Sequence, residues 1–216
     1  MDLPVIFVGS FVTALSGALA PGPLLTLTIA ETLKRGALSG PLIITGHALL
    51  ELVIVTLLSL GLLGAVGSDA TLVLTGSIGS IVLFYMGMQT IREAGRVAET
   101  SFSGAVSVRL DARSAGSLVI RGALTSVANP YWSLWWLTIG AAFLARGLLA
   151  GTPGAVAFFV GHILADFAWY TIVSTAVHKG KKAVNGKVVN AILVVCGSAL
   201  IGLGVYFALD VARRVW

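Results

Sequence analysis

Two stretches of this chain place chemically active side chains inside otherwise apolar sequence. They are Gly46-His47-Ala48-Leu49-Leu50-Glu51 and, 115 positions later, Gly161-His162-Ile163-Leu164-Ala165-Asp166. In each, a histidine precedes a carboxylate by four residues, so on a helix both project from one face, a turn apart. Such pairs can do two kinds of work. The carboxylates can take up protons and the histidines relay them, since ordinary pKa values of about 4 and about 6.5 are tuned by burial. Alternatively, two imidazoles and two carboxylates can converge on a divalent cation, a ligand set suiting Zn, Mn or Fe better than Ca. A polar network that only fastens helices together is the plainer reading. Cost argues against it: an ionisable residue near the centre of a membrane helix costs roughly 2.5–3.5 kcal/mol on insertion scales. This chain bears that cost at two matching places.

The elements that must position these residues follow from composition. Of 216 residues, 57% are hydrophobic and 11% charged, with a mean hydropathy of +0.98. Soluble domains carry about 25% charged residues, so the composition is that of a polytopic membrane protein with no room for a soluble domain. Met1-Asp2-Leu3-Pro4 lacks the basic residues of a signal peptide, so the first apolar run is expected to remain as a span. A single cysteine, Cys196, excludes an intramolecular disulfide, a CxxC redox pair and a thiolate metal cluster. No cofactor is expected. The net charge of +5 does not point to nucleic acid; in a lipid-embedded chain it reports orientation.

Six apolar segments fall at about 5–32, 41–63, 70–91, 117–144, 153–177 and 188–210. Eleven of the fourteen basic residues follow the first, third and fifth segments: Lys34 and Arg35; Arg92, Arg96, Arg109, Arg113 and Arg121; Lys179, Lys181, Lys182 and Lys187. Arg146, Arg213 and Arg214 lie opposite. The positive-inside rule makes the three basic connections cytoplasmic and puts both termini outside the cell membrane. The third connection, residues 92–116, reads as a flexible Ser/Gly/Arg tether, with a weak amphipathic signal around Val106–Arg113.

The chain repeats itself on either side of that tether. Leu33-Lys34-Arg35-Gly36-Ala37-Leu38-Ser39-Gly40 resembles Leu144-Ala145-Arg146-Gly147-Leu148-Leu149-Ala150-Gly151, and the Gly-His-x-x-x-carboxylate segments follow in both halves. Three spans per half is an odd number, so the halves must insert upside-down relative to each other. The expected fold is an all-α membrane protein: six transmembrane helices as two inverted three-helix repeats with broken first and fourth helices. Residues 1–97 form the first repeat, 98–116 a cytoplasmic linker and 117–216 the second repeat. Glu51 and Asp166 each fall one residue from the centre of their span, so the inversion brings both pairs to one depth.

The breaks are Ala20-Pro21-Gly22-Pro23 in span one and Ala128-Asn129-Pro130 in span four. Proline removes a backbone donor and disfavours α-geometry in the residue before it, while Asn followed by Pro makes a good helix start. Interruptions at corresponding places in two repeats are the best sequence pointer to a transporter binding site. The unpaired N–H groups there suit a carboxylate.

The Pro-Gly-Pro of span one, the Lys34-Arg35-Gly36 run closing it, the Asn-Pro of span four and the 3+3 plan resemble the lysine exporter (LysE/RhtB) family of transporters. The similarity covers most of the chain, the third connection excepted. It implies proton-driven efflux of amino acids or related small metabolites from prokaryotic cells. Pro21, Gly22, Pro23, Asn129 and Pro130 are the matching positions. Leu24 stands where many amino-acid members carry Asn, and the wider superfamily includes exporters of divalent metal ions, so both solute classes stay open.

The remaining signals are secondary. Tyr131, Trp132, Trp135 and Trp136 follow the Asn-Pro break, and Trp169 with Tyr170 follows Asp166. They read as interface markers, or as a cavity lining able to hold an ammonium group by cation–π attraction. Glu31, near Lys34 and Arg35, reads as an interfacial salt bridge, and His178 as a solvated residue. The small residues of spans three and six read as packing surfaces between helices or between protomers of a homodimer. There is no His-Glu-x-x-His motif and no Gly-x-Ser-x-Gly elbow, so an enzyme is not expected. The expected partners are a small solute, protons and the bilayer.

Overall fold

The computed structural model describes residues 2–19, 22–61, 69–102, 112–181 and 185–215, and all regular structure among them is helical. In chain order the helices are α1 (Leu3–Ala18), α2 (Pro23–Arg35), α3 (Ser39–Ser59), α4 (Asp69–Phe102), α5 (Ala112–Val127), α6 (Pro130–Trp135), a π-helical turn (Trp136–Gly140), α7 (Ala141–Leu148), α8 (Gly151–Gly180) and α9 (Gly186–Val215). Pro23 opens α2 behind an extended Gly22, where its missing N–H is no loss. Gly36, at φ 96°, ends that helix in the left-handed region that a side chain would disfavour. Among the described residues, three helices are long and apolar enough to cross a membrane: Ser39–Ser59, Gly151–Gly180 and Gly186–Arg214.

Surface and interior are arranged for lipid. Ile81, Val195, Ile172 and Val12 are exposed, whereas Ser10, Thr28, Thr32, Glu31 and the two His/carboxylate pairs are buried. Large apolar side chains face out from the long helices and polar groups are collected between them, as a low-dielectric surround requires.

The most extensive pairings join α4 to α9, α1 to α8 and α3 to α5. Glycines set their closeness. A Cβ on Gly46 would strike the Val119 carbonyl, and one on Gly122 the Ile43 carbonyl, so α3 and α5 touch backbone to backbone. Gly161 lies in the same way on the carbonyl of Phe7, and Ser10 donates to the Phe158 carbonyl at 2.6 Å, fastening α1 to α8. Gly87 and Gly197 each face the other's carbonyl across α4 and α9. In lipid, where burial between helices gains little, such contacts are a main source of helix affinity.

One expectation needs correction. The segment read as a tether from residue 92 is helical as far as Phe102, and α5 already runs from Ala112; its Glu, Ala and Arg residues are good helix formers, and their polarity was mistaken for a loop. The proposed Val106–Arg113 helix falls mostly outside the described residues, as does Pro21. Glu31 makes the salt bridges expected of it, to Lys34 and Arg35, and its side chain is fully buried.

Candidate functional site

The two His/carboxylate pairs meet. On α3, Nε2 of His47 lies 3.0 Å from Oε1 of Glu51; on α8, Nε2 of His162 lies 3.1 Å from the other oxygen, Oε2, of the same carboxylate. Oδ2 of Asp166 stands 3.7 Å from His47 Nε2 and 3.6 Å from His162 Nε2. All four side chains are buried. One ligand atom from each lies within 4.8 Å of the others, close enough to surround a single small cation.

Glu51 is the hub. Its Oε1 also accepts hydrogen bonds from the indoles of Trp132 (3.0 Å) and Trp136 (2.9 Å). Two imidazoles and two indoles therefore converge on one carboxylate, the hydrogen-bonding that lets a buried charge persist in low dielectric. Both tryptophans reach it because α6 and the π-helical turn begin at the Asn129–Pro130 break, which aims the first turn of the new helix at α3. His47 is held from behind by Ser126 of α5, whose Oγ lies 2.7 Å from Nδ1 and also donates to the Gly122 carbonyl at 2.9 Å.

The quartet forms one wall of a cavity of about 470 Å³. Gly22 and Pro23 from the first break and Asn129 from the second also line it, with Trp132, Trp135, Tyr170 and apolar residues including Ala14 and Leu24. Pro130 begins α6. Trp135 packs its ring 4.8 Å from the His162 imidazole. The other two tryptophans of the sequence reading are placed differently. Trp136 is packed with Ile6, Val55, Leu144 and Phe158, and Trp169 beside Ala18, Ile44 and Tyr170.

A second polar cluster, with no motif to announce it, closes the far end of α2. Glu31 is met by Arg35 Nε at 2.8 Å, Lys34 Nζ at 3.3 Å and Arg121 Nη1 at 3.3 Å. Arg121 extends to Gln89 of α4 at 3.1 Å, and Arg35 to Ser114 of α5 at 2.7 Å. Lys181, at the end of α8, donates to the Leu33 carbonyl, and partial burial lowers its ammonium's hold on its proton. The carboxylate thus ties α2, α4 and α5 together on one side of the cavity. Only Glu31's nearness to Lys34 and Arg35 was visible beforehand.

Apolar helices arranged around a buried, ionisable cavity define a membrane transporter of small solutes. The chain belongs to the LysE type translocator family, whose model matches residues 15–211. It is therefore a transporter and not an enzyme. No curated protein and no solved structure matched the chain.

Proposed function

We propose that this protein is a secondary exporter that moves amino acids or similar small metabolites out of the cell in exchange for protons. The observation that carries the reading is the convergence of His47, Glu51, His162 and Asp166 on the wall of a cavity flanked by both helix breaks. Ionisable groups inside a membrane protein mark substrate or proton pathways by default. At about 470 Å³ the cavity has room for an amino acid, and its chemistry suits a zwitterion. The first turn of α2, beyond Pro23, offers backbone N–H groups to a carboxylate, and the acidic side chains face the ammonium.

Alternating access between two inverted halves, residues 1–97 and 117–216, supplies the movement in this reading. The helix pairing supports it. Exchanging first and second halves turns the α1–α8 contact into α5–α3 and maps α4–α9 onto itself, and those three pairings are the most extensive in the fold. The excess of basic residues on three connections supports cytoplasmic placement of those loops, with both termini outside the cell membrane. Small residues such as Gly87 and Gly197 are used between α4 and α9, so a homodimer would need a different face.

A second reading has one observation in its favour: four ligand atoms within 4.8 Å make the quartet a fitting cradle for a divalent cation as cargo. A thermal-shift screen of purified protein separates the two. Stabilisation by amino acids supports the first reading; stabilisation by Mn, Zn or Co alone, abolished in His47→Ala and His162→Ala, replaces it with the second.

A further inference from the structure

The two His/carboxylate pairs match in sequence yet differ in what they leave open. On α3 most polar atoms are engaged: His47 uses Nδ1 on Ser126 and Nε2 on Glu51, Glu51 Oε1 accepts from Trp132 and Trp136, and Glu51 Oε2 has only the His162 imidazole, 3.1 Å away. On α8 two acceptor-capable atoms have no hydrogen-bond partner among the described residues. They are Nδ1 of His162 and Oδ2 of Asp166, on residues only 5% and 4% exposed. The two Nε2 atoms nearest Asp166 Oδ2 stand beyond hydrogen-bond reach, at 3.6 and 3.7 Å. A buried polar atom without a partner is costly, so two on one helical turn at a cavity wall ask for a donor that comes and goes.

The helix contacts show how the difference arises. Gly46 rests on the Val119 carbonyl as Gly161 rests on that of Phe7, so Val119 and Phe7 are counterparts. Ser126 lies seven residues after Val119, and the residue seven after Phe7 is Ala14, a cavity-lining alanine. The hydroxyl that occupies His47 has no equivalent in the other half.

We propose that the halves have divided the work: α3 holds a fixed scaffold around Glu51, and α8 binds the solute, with His162 Nδ1 and Asp166 Oδ2 accepting hydrogen bonds from its primary ammonium group. This deepens the exporter reading and rests on it for its physiological meaning. The neighbouring chemistry fits. Among the described residues, the ionisable groups beside Asp166 are His47 and Glu51 of α3 and His162 and Tyr170 of its own helix. The ring of Trp135 beside His162 offers an aromatic surface for the cation. Ala14 is then a specificity position, since a hydroxyl there would cap His162 as Ser126 caps His47.

The test uses n-butylammonium as probe and butyrate as control, with the full chain in lipid nanodiscs carrying 15N-labelled histidine. Three histidines give resolvable ring signals, and exposed His178 serves as an internal reference. Butylammonium should shift the His162 ring nitrogen and leave His47 unmoved, while butyrate moves neither. Apparent affinity should fall about tenfold or more in Ala14→Ser and in Asp166→Asn, one lost charge-assisted hydrogen bond corresponding to roughly 1.5–3 kcal/mol. Ser126→Ala should leave the His162 response intact. A probe that shifts His47 instead, no shift at either ring, or undiminished affinity in Ala14→Ser and Asp166→Asn overturns the proposal. Failure of the exporter reading looks different. A chain that binds butylammonium in this way but carries no proton-coupled flux contradicts that reading alone, and a chain that pumps with His162 silent contradicts only this assignment.

Discussion

Nε2 of His162 lies 3.1 Å from Oε2 of Glu51, though 111 positions of sequence separate the two residues. His47 meets the other oxygen of that carboxylate at 3.0 Å. One side chain of α3 is thus shared by both halves of the molecule, and any movement of one half against the other must stretch or keep that contact.

Replacing Glu51 by Gln should spare the fold and remove transport. The amide oxygen still accepts from an indole, and an imidazole can adapt by changing tautomer, so the stability loss should stay near roughly 1–3 kcal/mol. Melting curves of the detergent-purified variant read the first effect, and flux in proteoliposomes reads the second. Retained transport would argue against a role for the hub in coupling.

Gly46→Ala and Gly122→Ala should each destabilise the protein, by about 1–3 kcal/mol or more, because the new methyl group meets a backbone carbonyl that cannot rotate aside. Gly116→Ala is the control. It lies on α5 with no neighbouring atom within 4 Å of an added Cβ, and should be neutral or stabilising by up to about 1 kcal/mol. Equal melting temperatures for all three variants would mean that α3 and α5 are not in backbone contact.

Glu31→Gln leaves Lys34, Arg35 and Arg121 gathered around a neutral group. Breaking one partner out of a buried ionic cluster costs roughly 3–5 kcal/mol, and the loss should exceed that of Glu51→Gln, whose partners can be neutral. Arginine cannot. Parallel thermal denaturation of the two variants gives the ranking directly.

What could be read from sequence and what could not divides along physical lines. His47, Glu51, His162 and Asp166 were legible because a charged group in an apolar run is expensive and because the repeat marked it twice. Their mutual contact was not: a common depth does not make two pairs of side chains neighbours. The indole bonds were not legible: Trp132 and Trp136 look from sequence like any interfacial aromatics, and only the turn of α6 after Asn129 aims them at Glu51. The rest of the Glu31 network was hidden for a similar reason. Its partner Arg121 lies 90 positions away and Gln89 a further contact beyond, with no motif linking them. Residues 92–102 are polar enough to resemble a loop but rich in helix formers, and there α4 extends beyond its apolar stretch.

The most direct measurement is of internal pH in proteoliposomes loaded with the amino acid that most stabilises the protein. The proposed exchange predicts that outward flow of that solute drives protons inward and acidifies the lumen with the wild-type chain, and that Asp166→Asn and Glu51→Gln, both still folded, leave the pH flat. Solute efflux at the wild-type rate with no change in pH, or acidification that survives both substitutions, would contradict it.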